Sequence, residues 1–253
     1  MATRSRSALL SWRLGVLAVL LCGAGVAAAY LGWLAPYGGF LLFAAALVAG
    51  GIAAPVLGVI GLVKTRSAPG RGAAVLGTLL GAGLVALLAV LGARSGGAPP
   101  IHDLTTSPDD PPVFRELARM PANEGRDLTY PQGGAEVPER QRRAYPDLEP
   151  IRLDLAADEA FDAAQRAAAQ LGWTVVWSNR ELGVIEAYDT SPLFRFVDDV
   201  AVRVREAPDG GAVVDLRSTS RVGVSDLGAN AKRIRAFAAA LRSAQQLLEV
   251  RGS

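Results

Sequence analysis

The sequence predicts three membrane-spanning helices followed by an α+β domain, an antiparallel sheet with two helices on one face. Three observations carry this reading. Residues 1–100 hold no Asp or Glu and contain three long uncharged apolar runs. Beyond residue 150, apolar side chains alternate at period two or recur at helical spacing, in the order strand, helix, four strands, helix (β-α-β-β-β-β-α). Between these regions, residues 101–150 are rich in Pro and Gly and show little periodicity.

The apolar runs occupy residues 14–33, 38–63 and 72–93, each long enough to cross about 30 Å of hydrocarbon at about 1.5 Å per residue. Arg4, Arg6 and Arg13 precede the first run, and Lys64, Arg66 and Arg71 separate the second from the third. Basic flanks stay cytoplasmic, so the N-terminus is expected inside and residues 101–253 outside. The basic start, first run and Ala27-Ala28-Ala29 also fit a cleaved signal peptide, which would leave the domain on the same side. The expected location is therefore a multi-pass place in a cell inner membrane, with the C-terminal domain periplasmic or otherwise extracytoplasmic. Two Lys against 24 Arg point to a GC-rich bacterial source.

Cys22, the sole cysteine, lies in the first run, so the outer domain must be held by packing and not by disulfides. Pro55 is placed to kink the second run, and Gly77 with Gly81 forms a GxxxG pair that would let another helix approach closely. With no Asp, Glu, His or Lys inside any run, an ion path through the bilayer has little support.

Residues 101–253 carry 19 basic and 24 acidic groups, a net negative balance that argues against nucleic acid as a partner. Residues 101–150 read as a strap or linker with one short helical candidate near residues 114–119, and Phe114, Tyr130 and Tyr145 are the aromatic side chains expected to hold it against the domain.

The domain proper is assigned to residues 151–253. Ile151, Leu153 and Leu155 alternate with charged residues as a first strand. Asp158 is expected to cap a helix whose stripe is Phe161, Ala164, Ala168 and Leu171, with Gly172 as its left-handed stop. Residues 173–178 and 183–189 form a hairpin around Asn179-Arg180-Glu181-Leu182. A second hairpin turns at Pro208-Asp209-Gly210, and a three-residue loop sets Arg203 opposite Asp215, avoiding the like-charged pair of the alternative register. Ser225 or Asp226 then caps a final helix with the stripe Leu227, Ala231, Ile234, Ala238, Leu241 and Leu248.

Candidate ligand-binding residues gather on the last strand and its junction with the final helix: Arg203, Arg217, Ser220, Arg221, Ser225 and Asp226. A helix start beside arginines suits a carboxylate or phosphate. The competing structural reading has Asp226 or Ser225 capping the helix while Arg221 and Asp215 form local ion pairs, which leaves no vacancy. Asp198 and Asp199 are adjacent on a strand and point to opposite faces, so they cannot address one substrate atom together, and Asp109-Asp110 between prolines reads as a turn. His102 stands without a histidine cluster or nucleophile motif. No catalytic residue, metal site or cofactor is assigned. Glu186 and Tyr188 fall on the sheet face opposite the helices, together with Arg203, Arg205, Asp215 and Arg217, and the strap is expected to cover that face.

Several segments resemble domain of unknown function 1499: IHDLTTSPDDPPVF from Ile101, QRRAYPDL from Gln141, LGW from Leu171, IEAYDT from Ile185, DDVAVRV from Asp198, and DLRSTSRVGVSDLGANAKRIRAF from Asp215. The resemblance spans most of residues 101–240, and the apolar N-terminal runs match the membrane-anchored bacterial versions of that family. It implies an envelope or membrane setting and brings no catalytic residues. The expected function is an outward-facing noncatalytic domain that binds a protein or small envelope component, a small anionic ligand among them. The alternative is an envelope hydrolase using the Arg221 to Asp226 corner.

Overall fold

A computed structural model describes residues 5–66, 69–94, 97–208 and 210–252, with side chains to residue 246. Arg4, Asp209 and the Leu248 side chain, named above, lie outside the described residues. The chain divides into two units, one of residues 1–96 with 191–195 and one of residues 97–190 with 196–253.

In the first unit, α1 (Arg6–Tyr30), α2 (Pro36–Lys64) and α3 (Arg71–Arg94) are each long and apolar enough to cross a membrane. The first helix starts earlier and ends earlier than the apolar run of residues 14–33, because nothing before Leu14 breaks it and Gly32, with φ +73°, turns the chain after Leu31. Pro36 opens α2 at a position that needs no N–H, and α2 runs through Pro55 unbroken.

The three helices pack through small residues. A methyl at Gly50 would overlap Ala18, one at Gly81 would overlap Pro55, and one at Gly77 would overlap Ser11 Oγ, whose hydroxyl donates to Ala54 O at 2.7 Å. The helices that approach the GxxxG pair are therefore the chain's own α1 and α2. Leucine and isoleucine side chains such as Leu20, Ile52 and Leu79 point outward, the inverse of a water-soluble bundle.

The second unit is an α+β domain on a six-stranded antiparallel sheet. Its elements are β1 (Asp103–Thr105), α4 (Glu116–Arg119), a 3-10 turn (Pro121–Asn123), α5 (Val137–Ala144), β2 (Ile151–Leu153), α6 (Ala157–Gln170), β3 (Thr174–Asn179), β4 (Val184–Thr190), β5 (Val197–Glu206), β6 (Ala212–Ser220) and α7 (Ala229–Gly252). The sheet order is β1-β6-β5-β4-β3, and β2 also pairs with β6. Thus β1 and β2 share one edge of β6, β1 at residues 217–219 and β2 at residues 212–214. The β5–β6 hairpin has Arg203 opposite Asp215 and Ala207 N–H bonded to Gly211 O, the register of the three-residue loop.

Both α6 and α7 lie on one sheet face. Phe161, Ala164 and Ala168 of α6 and Ile234, Phe237 and Leu241 of α7 bury against Leu104, Ile151, Ile185, Val200, Val202, Val214 and Leu216. Trp173, just after α6, stacks on Phe237 with centroids 5.1 Å apart. Each large side chain so buried stabilises the fold by about 1.5–3 kcal/mol.

Two helix starts differ from the sequence reading. α6 begins at Ala157, so Asp158 sits in its first turn, and Glu159 instead accepts the Ala156 N–H at 3.3 Å. α7 begins at Ala229, which leaves Leu227 outside the helix, exposed and at φ +53°.

The other face is covered by residues 106–132. Phe114 and Leu117, with Met120 and Leu128 beside them, pack on Ala201. The strap contains more order than its composition suggests. β1 is a sixth strand, and α5 is anchored by Gln141, whose amide accepts from Thr105 N at 3.1 Å and donates to Thr105 O at 2.6 Å, standing in for a neighbouring strand.

Candidate functional site

Period-two alternation sends Asp103, Glu186, Tyr188, Asp199, Ala201, Arg203, Arg205, Asp215, Arg217 and Thr219 to the strap-covered face. Arg217 is its centre. Its Nε and Nη2 donate to Asp103 Oδ1 and Oδ2 at 2.9 and 2.8 Å, and both side chains are essentially fully buried. A buried pair survives desolvation only when its remaining donors are satisfied. Here Leu128 O accepts from Nη2 at 2.9 Å, and the guanidinium lies 4.8 Å from the Phe114 ring centroid and 5.3 Å from that of Tyr130. Burial, then the Asp103 charge, pushes the Tyr130 phenol up to about 12.

Two more acids are neutralised on this face. Asp199 accepts from Arg221 Nη2 at 2.6 Å on one oxygen and from Arg126 Nη1 at 3.0 Å on the other, and Arg221 also lies over the Tyr188 ring. Asp215 Oδ2 accepts from Arg203 Nη2 at 2.8 Å and Arg205 Nη2 at 2.7 Å, while Arg203 reaches across to Asp110 O at 2.7 Å. Glu186 is different. It is fully buried and accepts only backbone donors among the hydrogen bonds described, Arg115 N and Leu117 N at 2.7 Å each, so it fastens the strap where α4 begins. Burial raises its pKa, opposed by those N–H bonds.

The helix-covered face carries a second polar cluster at the end of β6. Asn230 donates to His102 O and Ser220 Oγ at 3.0 Å each, and its Oδ1 accepts from Ser218 Oγ at 2.6 Å. Arg233 binds Asp189 at 2.8 Å and Asp198 at 2.6 Å. Asp226 Oδ1 accepts from Gly228 N at 2.8 Å and Oδ2 from Asn230 N at 2.7 Å, fixing the start of α7, and burial raises its pKa against those bonds.

The six candidate residues therefore do not form one site. Arg203, Arg217 and Arg221 stand on the strap-covered face, Ser220 on the helix-covered face, and Ser225 and Asp226 in the turn before α7. Arg221 and Asp215 are both ion-paired, with Asp199 and with Arg203 and Arg205 respectively. Asp198 and Asp199 do point to opposite faces, Asp198 to Arg233 and Asp199 to Arg221 and Arg126. His102 contributes its carbonyl to Ser220 N at 2.9 Å. A groove of about 600 Å³ lies at the far end of the sheet, lined by Phe161, Arg180, Gly183, Arg205 and Glu206 among others, and none of the six lines it. Among the described residues, no group of three or more His, Cys, Asp or Glu is gathered as for a metal ion.

Asp103, Arg126, Asn230 and Arg233 were not singled out by the sequence reading. The available signal was arithmetic: acids on both faces of β5 each need a cation, and Asn230 and Arg233 flank the buried stripe residues Ala231 and Ile234.

No curated protein matches the chain. A family model described as protein of unknown function (DUF1499) matches residues 103–241, from β1 through most of α7. The match takes in the sheet, both covering helices and the strap that carries Asp103, Arg126 and Gln141. With more than half of its length so matched, the chain belongs to the DUF1499 family of proteins of unknown function.

Proposed function

We propose that the chain is a multi-pass inner-membrane protein whose N-terminus is cytoplasmic and whose α+β domain faces outward as a noncatalytic module that binds a protein or small component of the envelope. One observation carries the reading. The polar groups that a reaction would need, Arg203, Arg217, Arg221, Asp199 and Asp226, are each committed to buried partners inside the fold. Groups so engaged hold the fold together and are not free to turn over a substrate. The outward orientation is supported by the acid-free N-terminal region and its basic flanks.

The test has two parts. In-cell crosslinking of the full chain should enrich a partner over an unrelated domain on the same anchor, and failure to do so sinks the binding role. Substituting His102, Arg221 and Asp226 should cost folding, as read by proteolysis. Loss of a cellular phenotype with folding intact would instead favour an envelope hydrolase working from the Arg221 to Asp226 corner.

A further inference from the structure

The corner between β6 and α7 holds apolar side chains in water. Val222, Val224 and Leu227 are 43%, 77% and 57% exposed. The loop that presents them is well fastened. Arg221 N donates to Val197 O at 3.1 Å while its side chain binds Asp199, and at the other end Asp226 bridges Gly228 N and Asn230 N. Leu227 adopts φ +53°, a left-handed conformation that is strained for a residue other than Gly and that Asn would take more readily. A fixed, strained backbone that displays leucine and valine calls for an apolar environment.

The sheet register says where that environment is. β6 ends beside the start of β1, with Thr219 opposite Asp103, so the chain arriving from α3 enters the domain at this end. It passes directly beside the corner, since a side chain begun at Gly228 would lie 3.6 Å from Ala98 Cβ. From Arg94, the last residue of α3, to Ala98 is four residues, at most about 14 Å of extended chain. Lipid headgroups are within that reach of any helix that spans the bilayer. Lys232, exposed in the first turn of α7, adds a positive charge suited to anionic headgroups.

We propose that the β6–α7 corner is a lipid-contacting tip, with Val222, Val224 and Leu227 seated at the headgroup and acyl boundary of the same bilayer that the chain spans. The assignment holds on whichever side of the membrane the domain lies, so it stands or falls apart from the function proposed above.

The test uses the full chain in mixed phosphatidylcholine and phosphatidylglycerol vesicles, in a Cys22→Ser background. An environment-sensitive fluorophore is attached at Val224→Cys, and in a second protein at Glu206→Cys, at the opposite end of β5. At Val224→Cys the emission should shift to the blue and be quenched by nitroxide-bearing lipids, while at Glu206→Cys it should stay water-like and unquenched. Val222→Cys gives an independent reading should one label disturb the loop. Water-like emission at both corner positions would overturn the proposal, as would shielding from water without lipid quenching, which would assign the corner to a protein contact such as a second copy of the chain.

Discussion

Arg217 shows at the scale of one residue why a cluster of arginines need not be a binding site. Its donors reach Asp103 on β1, its ring contacts come from the strap, and all three are absent from its own neighbourhood in sequence. Replacing Arg217 with Ala leaves Asp103 charged and unpaired in the interior and should destabilise the domain by about 3–5 kcal/mol, measured as a shift in the denaturant midpoint by pulse proteolysis. Arg217→Lys should recover only part of that loss, because an ammonium cannot make the two-pronged pair or stack on Phe114. Glu186 makes a prediction about pH. Its folded pKa is raised, so the folded state holds that proton more tightly than the unfolded chain does. Stability from this group is then greatest below the ordinary glutamate range and declines as pH rises from there through the folded value, flat above it. In Glu186→Gln that slope should vanish from the pH profile of unfolding, while one of the two strap N–H groups meets an amide donor and loses its acceptor, a cost of about 1–3 kcal/mol.

The strap and the final helix mark what could be read in the sequence at the scale of elements. Strands β4 to β6 were legible because each has one apolar face in strict alternation, and the hairpin register followed from charge pairing of Arg203 with Asp215. β1 was not, since three residues, Asp103, Leu104 and Thr105, are too few to show a period. α5 was not, because its anchor is the polar Gln141 and only Val137 gives an apolar cue. The start of α7 was misplaced because Leu227 continues the stripe in spacing while the Gly228 turn, at φ +84°, holds it out of the helix. For the candidate residues, the sequence names positions on one strand and its junction but not their division between two faces, which depends on which element covers each. Amide hydrogen exchange should accordingly show Arg115 and Leu117 protected in the native protein and faster in Glu186→Gln, with β5 amides unchanged. In the other unit, Gly77→Leu should force α3 away from α1, because its side chain would occupy the place of Ser11 Oγ, and the protein should lose thermal stability in detergent.

At the scale of the whole molecule the two units obey opposite solvents. The first buries glycine and alanine and shows leucine outward, while the second buries leucine and phenylalanine and shows charge, so each has the inside that its surroundings demand. A phosphatase reporter fused after Ser253 should be active and a cytosol-dependent fluorescent reporter dark, and the reverse pattern would overturn the proposed orientation. The shared edge of β6 has a consequence of its own. The polypeptide leaves that edge at Thr105 and returns to it at Ile151, and the covering segment of residues 106–132 lies between these two margins. A protease that nicks it once, at the exposed Glu124-Gly125 bond, parts the backbone without freeing either fragment, and the two pieces should travel together until a denaturant unzips the edge that both still hold.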